Sequence, residues 1–228
     1  MNIKKAAISL GALVVLAGGG YAAYDYYAGN HVTIQEVIPA DASVQSGTAA
    51  VEPAKLNGDW SIQPDSKVYF SVTTSKETVN FEGATVKGDW TIDTDDLTKM
   101  SGQGVVDVNA LQSGNSQRDG HVKGADYLNA AANPEATFTV KSFENFPKEW
   151  KEGAKAAFTM KGTLTVKGIS KDVSFETEAL YTQETLKMEG STVVTFNDFG
   201  MKNPHTVVLD TQNDVTVQLR LNLNKKQA

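Results

Sequence analysis

The 228-residue chain contains no cysteine. That excludes a disulfide framework, a thiolate metal site, a cysteine nucleophile and a lipidated N-terminal cysteine. It leaves an oxidising compartment open, because a domain of this size needs no covalent staples. Histidine is scarce as well. His31, His121 and His205 stand far apart, and no His-x-x-x-His pair, Gly-x-Ser-x-Gly elbow or glycine-rich phosphate loop accompanies them. No local motif therefore points to an enzyme or to a bound metal. An excess of basic charge is also missing. The net charge of −6 and the pI near 5.1 argue against a nucleic-acid partner, which favours a basic face. Internal repeats are absent too.

What is present begins with a targeting signal. Lys4 and Lys5 precede an apolar run from Ala6 to Ala17, then Gly18–Gly20 and a cluster of tyrosines at 21, 24, 26 and 27. About 19 uncharged residues separate Lys5 from Asp25, near the lower limit for a helix that spans a bilayer. Residues 1–29 are thus a signal peptide, with cleavage after Ala22, or an uncleaved hydrophobic anchor helix with its lysines inside and its tyrosines at the far interface. Both alternatives place the remainder outside the cytoplasm, membrane-anchored or, if the segment is cleaved, secreted or periplasmic. Residues 30–57 read as a linker by composition, flexible or extended, with a short edge strand available at His31–Ile38.

From residue 58 to 228 a period-2 alternation dominates. Eight runs emerge: 67–74 with Trp60 and Ile62 as a bent start, 78–93, 104–110, 136–143, 156–167, 171–181, 185–196 and 214–224. Gly83 and Gly88 interrupt the second run, as a closing sheet requires. The last run alternates most cleanly, with Val215, Val217, Leu219, Leu221 and Leu223 against Thr216, Gln218, Arg220, Asn222 and Asn224. Long strands with short connections predict an all-β, extended eight-stranded antiparallel barrel rather than a sandwich of short strands. The lysines at 155, 161, 167 and 171 suit water better than a lipid-facing barrel wall.

One stretch departs from alternation. Around residues 118–130 a short helical segment is expected, spanning about Gly120–Asn129, with Asp119 as its cap and Val122, Ala125 and Leu128 as its inner stripe. Arg118, Asp119 and His121 gather there within four positions. They form a polar latch, since arginine and aspartate away from solvent usually pair or cap, or they contact a ligand head group.

Several blocks carry a family resemblance: Trp60-Ser61-Ile62-Gln63-Pro64-Asp65-Ser66, Val86-Lys87-Gly88-Asp89-Trp90, Arg118-Asp119-Gly120-His121-Val122 with Asp126-Tyr127-Leu128, Asn133-Pro134-Glu135-Ala136-Thr137-Phe138, Leu164 to Val173, and Asn197-Asp198-Phe199-Gly200. In this order they resemble the YceI-like family of lipocalin-like, polyisoprenoid-binding proteins across about residues 58–224. Gln63, Asp65 and Asp172 depart from the family pattern, which bears on ligand preference and leaves the fold untouched. The resemblance implies a lipocalin-like barrel with a long apolar pore for an isoprenoid chain and an extracytoplasmic location.

By pattern alone, large apolar residues on the inner face of a strand are core. With the resemblance they become candidates for a cavity wall: Phe70, Val72, Phe81, Phe138, Val140, Phe158, Met160, Leu164, Phe175, Val217 and Leu219. The function expected is to sequester or carry an isoprenoid lipid or quinone, without catalysis. The alternatives are a surface barrel with a filled core or a lipid-acting enzyme. Expected partners are that lipid, the cell membrane through the N-terminal segment, and a second copy in a homodimer. No cofactor other than the lipid is expected.

Overall fold

A computed structural model describes residues 29–42, 49–204 and 210–227. The expected N-terminal hydrophobic helix falls on residues 1–28, outside the described residues. Among the described residues, no helix is long and apolar enough to cross a membrane.

Twelve strands pair antiparallel in one sheet. They are β1 (Gly58–Ile62), β2 (Lys67–Thr74), β3 (Thr78–Gly83), β4 (Val86–Lys87), β5 (Asp89–Ile92) and β6 (Ser101–Asp107), then β7 (Leu111–Gln112), β8 (Glu135–Glu144), β9 (Lys155–Val166), β10 (Ile169–Thr182), β11 (Thr185–Thr195) and β12 (Thr211–Lys225). Among the described residues two short α-helices accompany them, α1 (Pro53–Leu56) and α2 (Ser116–Lys123).

The twelve reduce to eight composite strands in a closed meander. β1 and β2 lie end to end on one edge of β12, while β11 occupies the other edge. β3, β4 and β5 are one run that pairs first with β2 and then, after two bends, with β6 and β1. β7 adds a short pair beside β3. The predicted eight-stranded barrel is the one observed.

The glycine bends have a steric reason. Gly88 adopts φ +156°, and a Cβ there would fall 1.9 Å from the Gln103 carbonyl oxygen. Its own carbonyl accepts the Ile62 amide at 3.0 Å, so this point ties β1 to the bent run. Turn chemistry also shifts two expected boundaries. The tight β9–β10 turn is Lys167–Gly168, both at positive φ as a two-residue hairpin loop of this hand requires, so Ile169 already pairs with Val166. The third run spans 101–107, and Val108–Ala110 that follow form a 3-10 turn with the Asp107 side chain bonded to the Asn109 amide.

At the end of the barrel away from α2, the interior is packed solid. Phe146 meets Phe143 edge to face and packs at tilted angles on Trp150 and Phe158, and Trp60 meets Tyr181 edge to face. Leu56 and Val51 are buried at the same end, and the Leu56 carbonyl accepts the Trp60 indole N–H at 2.8 Å.

The segment expected to be a free linker is instead laid along the barrel, and no strand forms at 31–38. Asn30 bonds to Glu77 and to the Asn80 amide. Further on, one Glu189 carboxylate oxygen accepts both the Val37 and Ile38 amides at 2.7 Å, and Ile38 is buried. Glu36 pairs with Arg220 at 3.0 Å. Arg220 and Tyr69, on the outward face of their strands, are buried by this cover, so the outer face of β12 is not uniformly solvated as its alternation suggested. Burial pushes the Glu189 carboxyl above its usual range, and its hydrogen bond to Glu36 adds to that; the same bond holds Glu36 below.

Gly88→Ala should therefore lower stability by about 3 kcal/mol, from the disfavoured φ together with the clash against backbone that cannot move aside. Chemical denaturation with an unchanged m-value checks it.

Candidate functional site

α2 forms because its ends are satisfied by neighbours. Its interior has little amphipathic pattern, and no helix residue is fully buried. Asn115 Oδ1 accepts the Gln117 and Arg118 amides at the N-terminus, and the Gly124 amide closes the C-terminus on the His121 carbonyl. The helix thus runs over 116–123 and not over 120–129, and Asn115, not Asp119, is the cap. Ala125 lies outside it and is exposed. Val122 does face the interior, joined by Tyr127 and Leu128 from the turn that follows.

Asp119 acts as a latch. Its carboxylate accepts the amide of Ser113 at 2.8 Å and the Ser113 hydroxyl. Arg118 reaches the same residue from the other side, with Nε donating to Ser113 Oγ and Nη2 to the Ser113 carbonyl, while Nη1 donates to the Gly29 carbonyl at 3.0 Å. Its guanidinium carbon lies 5.8 Å from the Phe81 ring centre. Burial lowers the Arg118 pKa, and the charges of Asp119 and Glu77 oppose that. The His121 ring is 4.9 Å from that of Tyr127, whose hydroxyl burial pushes up, with the Asp126 charge adding to it.

Below α2 the barrel encloses a cavity of about 360 Å³. Every composite strand contributes to its wall. Eight of the expected wall residues line it: Phe70, Val72, Phe81, Phe138, Leu164, Phe175, Val217 and Leu219. Three do not. Val140 sits half-buried beside a bulge between Val140 and Ser142. Phe158 belongs to the aromatic packing at the far end, and Met160 is fully buried away from the wall. Inward alternation is the same for residues beside the cavity and residues beneath its floor, so pattern alone does not separate them.

The polar side chains in the wall lie towards α2. Arg118, His121 and Tyr127 come from the α2 region, and Thr74, Thr195 and Thr211 from the strand ends nearest it. At the opposite limit the wall is Ile62, Trp90 and Leu221. Trp90 bounds the floor, and its indole Nε1 is buried without an acceptor among the described residues. Residues outside the expected wall set complete it, notably Gly104, Trp90, Tyr127 and Phe199. The Asn197–Gly200 block held the signal for Phe199. Asp198 and Thr195 form a reciprocal capping box, and Gly200 adopts φ +62°, which turns Phe199 inward.

A family model described as the YceI-like domain matches residues 60–223. The chain belongs to the YceI-like family. The YceI proteins of Salmonella arizonae and Salmonella newport are 33% identical over 76 residues, which are 33% of this chain. That aligned stretch spans only 36% of those relatives' own length. The YceI-like barrel also resembles solved structures. Burkholderia cenocepacia BcnA matches with TM-score 0.59 at 19% identity, covering 69% of this chain and 95% of that one. A polyisoprenoid-binding domain from Saccharophagus degradans, implicated in plant cell wall breakdown, matches with TM-score 0.56 at 16% identity over 73% and 98%. At such identities the structural likeness speaks to the fold.

The family's Arg-Asp block is thus a structural latch in this chain. Asp119→Ala leaves the buried Ser113 amide without an acceptor and should cost about 1–3 kcal/mol in denaturation experiments.

Proposed function

We propose that this protein is an extracytoplasmic, membrane-tethered carrier that takes the apolar chain of an isoprenoid lipid or quinone into its barrel. The observation that carries this reading is the cavity itself, apolar at its floor and polar only towards α2. That gradient suits an amphiphile bound tail inward. A cavity of about 360 Å³ lies within the range of small-molecule sites. At roughly 30 Å³ per small unit of liquid it holds on the order of a dozen non-hydrogen atoms, such as two isoprene units. About ten buried carbons contribute roughly 8 kcal/mol before the ligand's lost freedom is subtracted. Arg118, Thr74, Thr195 and Thr211 are already bonded to Ser113 and Gly29, Glu77, Asp198 and Pro204 respectively, which favours binding over catalysis. The Saccharophagus degradans relative, a polyisoprenoid-binding domain, supports the same ligand class. The uncharged run at Ala6–Tyr24 supports the tether and the compartment.

Gly104 offers the test. It lines the cavity opposite Phe138, and a Cβ added there meets nothing within 4 Å. Gly104→Leu therefore fills about a third of the cavity, at roughly 30 Å³ per added atom, from a position where its Cβ meets no neighbour. The full chain in mild detergent is titrated with short-chain isoprenoid quinones while tryptophan fluorescence is followed, Trp90 being the one of the three tryptophans that lines the cavity. Saturable quenching is expected for the wild type. The variant should bind at least about tenfold more weakly, a difference of 1.4 kcal/mol, with no loss of thermal stability. Equal quenching by both, or none by either, contradicts the reading.

A further inference from the structure

The two ends of this barrel are not equivalent, and the chain enters at one of them. The Gly29 carbonyl is held by Arg118, a residue of the cavity wall. Next to it Asn30 bonds Glu77 and Asn80 at the α2 end of β3, and His31 lies close against Gly114, just before α2. From there the arm descends past Tyr69, Arg220 and Glu189 to the opposite end. That end is closed by Val51, Leu56 and Trp150 beneath a bridge between Ala50 and Lys151. Whatever precedes Gly29 therefore departs from the end of the barrel that holds the polar part of the cavity.

The sequence upstream sets a length. The uncharged run Ala6–Tyr24 ends five residues before Gly29, a connection of at most about 18 Å when fully extended. The barrel is longer than that. β10 has 14 residues, which at about 3.4 Å each and a tilt of about 40° rise roughly 37 Å along the axis. With the run in a bilayer, the closed end cannot face that bilayer unless the arm peels off. Peeling breaks both Glu189 bonds and the Glu36–Arg220 pair, and exposes Ile38.

We propose that the protein stands with its α2 end against the membrane its N-terminal segment enters, so that the cavity exchanges ligand directly with that lipid surface. This rests on the carrier function and tether argued above. The rim at this end has mixed charge, with Lys76, Lys171 and Lys202 exposed but Asp126 and Asp210 exposed as well. Orientation thus comes from where the tether attaches and not from a basic patch. Ile169, exposed at the start of β10 beside the β9–β10 turn, is an apolar residue on this rim placed to touch the interface.

Two positions of matched exposure read the orientation. Ile169 lies at the α2 end (37% exposed) and Leu97 at the closed end (38% exposed). The chain lacks cysteine, so Ile169→Cys and Leu97→Cys each carry one environment-sensitive fluorophore. The full chain is reconstituted into phosphatidylcholine vesicles with brominated acyl chains. Loss of fluorescence at 169 and none at 97 is the expected result. Equal loss at both, or loss at 97 alone, overturns the proposal, as does membrane-derived protein whose mass shows cleavage after Ala22. A second variant carries residues 1–28 after position 227, at the closed end. It should bind quinone in detergent as the native chain does, yet take ligand from its own vesicles about tenfold more slowly. Equal uptake overturns the orientation. Failure of the native chain to bind in detergent overturns the carrier function instead and leaves the quenching result standing.

Discussion

The structure depends on one strand having two partners on a single edge. β12 is fifteen residues long, and along one side it pairs with β2 and then with β1, while β11 covers the other. That pairing joins the first composite strand to the last and removes both free edges of the sheet. Without it the inward residues of β2 and β12 would face water rather than each other, and no enclosed volume would exist. The alternation of β12 meets this demand, since Val215 to Leu223 place their side chains inward along its length.

Closure constrains the rest. The run from Thr78 to Ile92 has to leave β2, cross to β6 and finish on β1, and it does so by bending where glycine allows the backbones to approach. The interior then has two fates. At one end aromatic rings fill it, with Phe143, Phe146, Trp150 and Phe158 in mutual contact and Trp60 on Tyr181. At the other end the side chains do not meet, and the residual space is bounded above by a short helix whose stability comes from Asn115, Asp119 and Ser113. The polarity gradient follows from this division, because polar groups enter the wall at the end where loops and strand termini converge.

Much of this was legible in the sequence, and the part that was not has identifiable causes. Period-2 alternation and the two interior glycines located all eight composite strands, since both follow from local backbone geometry. The helix was displaced because Asp119 stands where a cap could, and only the fold shows that Asp119 turns back to Ser113 while Asn115 caps. The arm over residues 29–42 offered only a short alternation at His31–Ile38, which suggested an edge strand and forms none. It is held by single long-range partners, Glu189 and Arg220, about 150 and 184 positions away in sequence. Cavity and core were inseparable for a related reason: Phe138 and Met160 alternate inward alike, and only their height in the barrel distinguishes them.

The central claim is that the space beneath α2 exists to hold a lipid chain. The most direct measurement is mass spectrometry of the organic extract from the full chain purified out of its own membranes. A prenyl-chain compound present at close to one molecule per barrel is the predicted result. Protein that is consistently lipid-free when isolated from membranes rich in isoprenoid lipids would contradict it.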